Sequence, residues 1–308
     1  MNNIKSIYTF FPTNDANLGL RDYEVGFLLL SLLNWKDNHG PSHLLTNTTG
    51  KKYFVDLGID SLWDEIKLVN VDKGDIDDEI FPDVYRFKAL MEEETPFCLM
   101  EYDTILKNDV NKNIFEGDVG LPYLEKIGEE EHVTTNFIYF SNKEHLKKYL
   151  NKCLTHMKKN SKKKDLTPKE KFFLNLEMNR LLLKSVKPKK IKVNYLFTTI
   201  LNQETQDKFP FTELNKLETT TLFLLSRFNR ESIRNTSKVY DSHKGGWVES
   251  YHPKRQHYLN KVKDMILIEQ GKEWYGLFED IVENSTLINK TEFQKGVNFT
   301  GQDGMAVI

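Results

Sequence analysis

The stretch Pro96-Phe97-Cys98-Leu99-Met100-Glu101-Tyr102-Asp103-Thr104-Ile105 decides how the chain is read. An apolar run climbs to two acids spaced i, i+2, and further apolar residues follow. In extended backbone, residues two apart point to the same side. Phe97–Met100 therefore predicts a buried strand from whose end Glu101 and Asp103 emerge together. Two carboxylates on one side repel each other and resist desolvation unless a cation joins them. A hard divalent cation that prefers oxygen, Mg²⁺ or Mn²⁺, suits such a pair. In an open α/β sheet, ligands also sit at the carboxyl ends of strands. The plain alternative is a strand that ends in a solvated polar turn.

Upstream of this strand the pattern alternates. Ile4–Phe11 is β-branched and aromatic and reads as a first strand. Asp22–Asn38 reads as a helix whose apolar residues cover much of its circumference, so it should be deeply packed. His43-Leu44-Leu45 predicts a short buried strand, Lys51–Leu57 a helix, Ile66–Val69 a strand and Phe81–Glu92 a third helix. Strand and helix in strict alternation argue for a mostly parallel sheet with helices on both faces.

Downstream the pattern changes. Leu121–Ile127 reads as a short helix, Val133–Phe140 as one strand, and Asn142–Lys158 and Thr167–Val186 as helices. Ile191–Tyr195 and Lys238–Tyr240 read as strands, and the latter runs into Ser242-His243-Lys244-Gly245-Gly246-Trp247. Tyr251–Glu269 is expected to be the final long helix, with a polar tail behind it. No linker divides the chain. It is read as one domain over 1–308, with a nucleotide-binding half (1–110), an acceptor half (111–275) and a C-terminal tail (276–308).

Composition narrows the function classes. Lys plus Arg is 43 against 45 for Asp plus Glu, a balance that argues against a dedicated nucleic-acid binder. Charged residues at 29% and hydrophobic residues at 39% match a soluble globular domain. Two cysteines, Cys98 and Cys153, make no disulfide framework and point to a reducing compartment. The start Met1-Asn2-Asn3-Ile4-Lys5 lacks a signal-peptide pattern, and no apolar run is long enough for a transmembrane helix. A cytoplasmic location is expected. The basic run Lys158–Lys164 could meet an anionic acceptor, a membrane surface or nucleic acid, or be a solvated link between helices.

Taken together, the apolar strand with its acidic pair, the Thr/Asn-rich segment and the late His-Lys-Gly turn resemble the GT-A glycosyltransferases. The likeness is to the family-eight type and a related bacterial group, and covers about Ile4–Leu154 and Tyr240–Trp247. It implies a single Rossmann-like GT-A domain with an elaborated helical C-terminal half. It also implies a nucleotide-diphosphate sugar donor and a divalent cation, Mn²⁺ or Mg²⁺. The acceptor, a glycan, a lipid-linked molecule or another small molecule, is left open.

The resemblance also assigns residues. Pro96–Ile105 is similar to the family's "P-F-L-x-x-D-x-D-x-x-L", in which the acids hold the metal; here the first acid is Glu101 and the second Asp103. Leu44-Leu45-Thr46-Asn47 resembles a strand ending near the nucleotide base, with Asn47 where the family has Asp. Thr46 and Asn47, with Thr9 on the first strand, are candidate donor contacts; Asn47 could equally cap the next helix. Tyr85–Leu90 resembles the helix before the acidic strand and makes Lys88 a candidate phosphate or sugar contact, or a solvated lysine. Thr134–Tyr139 is similar to "F-N-x-G-x-x" and nominates Asn136 beside the sugar, with Ile138 in place of the Gly. Phe173–Met178 nominates Glu177 toward the acceptor, against a helix-surface reading. His243 is the implied third metal ligand, and Lys244 and Gly245 are implied phosphate contacts.

The resemblance implies an enzyme that retains anomeric configuration. Two rivals stand beside it. A nucleotidyltransferase would carry a Gly-rich basic loop after the first strand, where this chain has Pro12-Thr13-Asn14-Asp15. A catalytically degenerate binding or structural protein on the same fold is the other, given the departures at Glu101, Asn47 and Ile138.

Overall fold

The computed structural model describes residues 4–12, 20, 22–102, 104–107, 115–127, 130–134, 137–185, 189–192, 194–195, 221–224, 239–241, 246–248, 255–288 and 305–307. Its first half follows the alternation in the sequence. β1 (Lys5–Phe10), α1 (Asp22–Asn38), β2 (Ser42–Thr46), α2 (Thr48–Asp56), β3 (Glu65–Leu68), α3 (Val84–Leu90) and β4 (Phe97–Met100) succeed one another. β1 pairs in parallel with β2 on one side and β4 on the other, and β3 extends the sheet beyond β2. The order β3-β2-β1-β4 is all parallel, as helical crossovers require.

The second half adds antiparallel strands to the free side of β4. β6 (Val119–Ile127), β7 (Glu130–Thr134) and β8 (Phe137–Phe140) follow β5 (Thr104–Lys107) in the chain. β8 pairs with β4, β6 lies beyond β8, and β7 and β14 (Met305–Val307) complete the row, with β9 (Lys189–Lys192) paired to β6. Among the described residues this is a nine-stranded mixed sheet. β5, β10 (Asn194–Tyr195) and β11 (Thr221–Leu224) form a smaller sheet, and β12 (Val239–Asp241) pairs with β13 (Gly246–Val248).

Strand alternation sorts the core into two layers. Tyr8, Leu44, Cys98 and Met100 face α1, α2 and the helices α6 (Arg255–Glu269) and α7 (Lys272–Asn284). Ile7, Leu45, Phe97 and Leu99 face α3, α4 (Lys143–Asn160) and α5 (Pro168–Ser185). Helices therefore cover both faces of the sheet. α1 is buried continuously from Asp22 to Trp35 because the sheet lies on one side and α6 and α7 on the other. Gly26 makes that approach possible: a Cβ there would stand 2.1 Å from Val262 Cγ1 and 2.9 Å from Phe278 Cζ.

Three sequence expectations are corrected. Leu121–Ile127 is not a helix but most of β6. Its Leu121, Leu124 and Ile127 fit a helical stripe, yet β7 and β9 pair with this segment and β8 pairs with Val119 and Gly120 just before it, and tertiary pairing overrides the local pattern. Val133–Phe140 is not one strand. Thr134 pairs with Met305 while Phe137 pairs with Met100, so the run serves two different neighbours. Tyr251–Glu269 is not the last element either, since α7 and β14 follow it. α7 buries Phe278, Ile281 and Val282, which recur at i, i+3, i+4.

Candidate active site at the carboxyl ends of β1 and β4

The chain leaves β1 for β2 and β3 on one side, then crosses back to β4 on the other. β1 and β4 thus flank a topological switch point, where two connections diverge and leave a crevice at the strands' carboxyl ends. Described residues reach this edge from several places: Phe10–Pro12 at the end of β1, Thr46-Asn47 at the end of β2, Tyr85-Arg86 in the first turn of α3, and Glu101-Tyr102 after β4. Phe137 pairs with Met100 and brings the start of β8 to the same edge.

The β2–α2 junction grips the end of β1. Thr46 is buried, and its hydroxyl donates to the Phe10 carbonyl. Asn47 is the N-cap of α2, with φ −93° and ψ 179°. Its Oδ1 accepts from Gly50 N at 2.8 Å, and its Nδ2 donates to the Pro12 carbonyl at 2.9 Å. The capping alternative for Asn47 is therefore realised. A Cβ on Gly50 would stand 2.0 Å from Thr46 Oγ1 and 2.9 Å from Phe10 O, so α2 sits directly on the end of β1. Thr9 is half-buried in β1 opposite Leu45.

Glu101 emerges from β4 on the α3 side and forms an ion pair with Arg86. The side chains retain 18% and 12% of their exposure, so the pair is largely shielded from water. A guanidinium held this way keeps both its charge and its planar donor fork, which suits it to a phosphate or carboxylate. Lys88 lies one half-turn further along α3, where its ammonium donates to the Asp72 carbonyl in the loop after β3. Glu177 on α5 pairs with Lys184 at 3.2 Å in the same helix. Asp103, Asn136, His243, Lys244 and Gly245 lie outside the described residues. β12 and β13 bracket three of them: Asp241 pairs with Gly246 across the connection that carries His243, Lys244 and Gly245.

Among the described residues there is no group of three or more His, Cys, Asp or Glu side chains that could hold a metal ion. Glu101 is the one expected ligand in view, and Arg86 competes with any cation for its carboxylate. Sequence reasoning passed over Arg86 in favour of Lys88. Its signal was its place in the first turn of α3, 15 residues before Glu101, but only packing shows that the two meet.

The basic run does not stand free. Lys158 pairs with Asp75 at 2.9 Å, and Asp77 N donates to Ser161 Oγ, so the acidic loop 72–79 lies against it. The carboxyl of Asp75 is held below the usual carboxylate range, chiefly by Lys158.

No family model matches the sequence, and no curated protein matches it. Among solved structures, the apo-form glycosyltransferase GlyE of Streptococcus pneumoniae TIGR4 aligns at TM-score 0.42 and 10% identity, over 91% of this chain and 63% of GlyE. A second GlyE structure aligns at TM-score 0.43 over 90% and 63%. The galactosyltransferase LgtC, in complex with donor and acceptor sugar analogs, aligns at 0.36 and 11% identity over 62% of this chain and 73% of LgtC. The chain spans less than two thirds of the length of GlyE. Function is therefore drawn from the residues of the site. No helix among the described residues is long and apolar enough to cross a membrane.

Proposed function

We propose that the chain is a glycosyltransferase that binds a nucleotide-diphosphate sugar in the crevice between β1 and β4. The observation that carries this reading is the switch point itself, with a carboxylate and a guanidinium brought to its rim by β4 and α3. A phosphate-bearing ligand needs cationic donors at that edge, and Arg86 supplies one. Lys244, Gly245 and Lys88 are proposed as further phosphate contacts.

The donor set suits a hard cation at Asp103 and His243, with Mn²⁺ favoured over Mg²⁺ by the imidazole. Bound there, the cation would offset charge on the leaving diphosphate, a Lewis-acid effect worth several kcal/mol. Glu101 would serve mainly to orient Arg86, and Asn136 and Glu177 would lie toward the sugar and acceptor. The transition state at the anomeric carbon is oxocarbenium-like, as in glycoside cleavage. Transfer with retention of configuration is part of the proposal.

A thermal-shift panel of nucleoside diphosphates and nucleotide sugars, each with Mn²⁺ and with EDTA, tests the reading. A Mn²⁺-dependent rise with one nucleotide, lost in Asp103→Ala, supports it. No shift across the panel for folded protein refutes it. The Arg86–Glu101 pair favours a second reading, sugar-nucleotide binding without turnover, because it occupies one expected metal ligand. Release of the diphosphate from donor and acceptor separates an enzyme from a binder.

A further inference from the structure

α4 and the turn that follows it carry positive charge out of proportion to a near-neutral chain. Residues 143–165 hold nine lysines against two acids, and no arginine. Lys143 pairs with Glu94 and Lys158 with Asp75. Lys148, Lys152, Lys159, Lys162, Lys163 and Lys164 are exposed and make no ion pair among the described residues. The first three recur at i, i+4 and i+11, which at 3.6 residues per turn sets them within about 40° on one side of the helix. The opposite side is fixed, with Leu146, Leu150, Cys153 and Met157 buried in the core. The last three extend the charge into the turn before α5. That turn stands at the edge of the sheet where the crevice opens. β8 runs away from this edge, from Phe137 opposite Met100 to Phe140 opposite Phe97, and α4 brings the chain back. At its end Ser161 Oγ accepts from Asp77 N in the loop after β3. The acids of that loop border the lysines on one side, where Lys158 takes Asp75 and Lys73 takes Asp78.

A lysine stripe calls for an anionic partner, and its composition narrows which one. Nucleic-acid sites draw on arginine forks and on exposed rings that stack bases. Here there is no arginine, and Tyr149, the only Phe, Tyr or Trp in the stretch, is buried. A protein interface is anchored by apolar and aromatic side chains, and lysine is depleted from it. Among the described residues the exposed large apolar side chains are Val55, Leu68, Leu267 and Ile268, none of them on α4. A layer of anionic lipid headgroups needs neither an anchor nor a directional fork, because it attracts each lysine as a point charge. We propose that α4 and the turn after it dock the chain on an anionic phospholipid surface and so hold the mouth of the crevice beside the bilayer. The docking goes beyond the transferase reading and does not depend on it.

Co-sedimentation of the full chain with vesicles tests it, using phosphatidylcholine alone and an equal mixture of phosphatidylcholine and phosphatidylglycerol, each at low and high salt. Binding to the mixed vesicles at low salt, lost at high salt and absent from phosphatidylcholine alone, is the expected result. Lys162→Gln, Lys163→Gln and Lys164→Gln together should lower the partition by about 100-fold, at about fivefold for each lysine. The same change at Lys148, Lys152 and Lys159 should act alike. Arg in place of the three turn lysines keeps the charge and should keep the binding, which separates docking from a folding defect. Lys51→Gln with Lys52→Gln alters exposed lysines of α2, on the other face of the sheet, and should leave the partition within about twofold. No binding to the mixed vesicles, equal binding to both vesicle types, or losses in the α2 variant as large as in the turn variant overturn the proposal. Tighter binding to a duplex oligonucleotide than to the mixed vesicles also overturns it and assigns the stripe to nucleic acid. Nucleotide binding in the thermal-shift panel is a separate readout, so its failure refutes the transferase reading and leaves the docking standing.

Discussion

Asn47→Ala is the most direct probe of how the crevice is built. The substitution removes two hydrogen bonds at once: the cap to Gly50 N at 2.8 Å and the bond to the Pro12 carbonyl at 2.9 Å. Loss of an Asn cap costs about 1 kcal/mol. The second bond lies in a half-buried setting and contributes about another 1 kcal/mol. The expected loss is therefore about 2 kcal/mol. Urea denaturation followed by far-UV circular dichroism measures it as a fall in midpoint at constant slope. Asn47→Asp separates the two parts. Its carboxylate keeps the capping acceptor at the helix N-terminus but cannot donate to Pro12 O, so it should lose roughly half as much. A loss below about 0.5 kcal/mol for Asn47→Ala would refute the view that this side chain ties α2 to the end of β1. A loss in Asn47→Asp equal to that in Asn47→Ala would refute the division between cap and tie.

Other consequences follow from the packing. Gly26→Ala places a methyl 2.1 Å from Val262 Cγ1, and overpacking should destabilise the chain by about 1–3 kcal/mol despite the better helix propensity, read as a lower unfolding midpoint. Glu93→Gln removes the charge partner of both Lys5 and Lys67 at a carboxylate that is nearly inaccessible; a loss of about 1–3 kcal/mol that persists in high salt is expected in urea titration. Burial pushes the Cys153 thiol up to about 12, so the folded thiol keeps its proton while the unfolded one ionises. Its stabilising effect is complete below about pH 9 and is lost as pH rises from 9 toward 12, a decline that Cys153→Ala should reduce in pH-dependent melting. Cys98 and Cys153 are both buried free thiols, so a thiol reagent at pH 8 should label neither until denaturant is added.

The elements most legible in the sequence are those whose local pattern and tertiary environment agree. Asp22–Asn38 is a helix over the stretch its apolar periodicity marks, and Phe97–Met100 is a strand buried on both faces, as an unbroken apolar run requires. That β1 to β4 run parallel follows from strand–helix alternation, because each crossover needs a helix to return the chain in the same direction; their order, β3-β2-β1-β4, does not. The second half was harder to read because its strands are defined by partners distant in sequence. β6 carries a helical stripe but is held by β7, β8 and β9, and Val133–Phe140 changes neighbours partway along.

The site shows the same division. Local sequence sufficed to place Glu101 at the end of a buried strand and to mark Asn47 as a cap or a contact, since both depend on spacing along the chain. What Glu101 meets is a different matter. Arg86 reaches it only because α3 packs beside β4, and Phe11 meets Tyr85 only because β1 ends and α3 begins at the same edge. Short-range pattern fixes which residues leave a strand or begin a helix. Which charges and rings then face each other is decided by the sheet order and by the packing of helices across it, which no window of sequence contains.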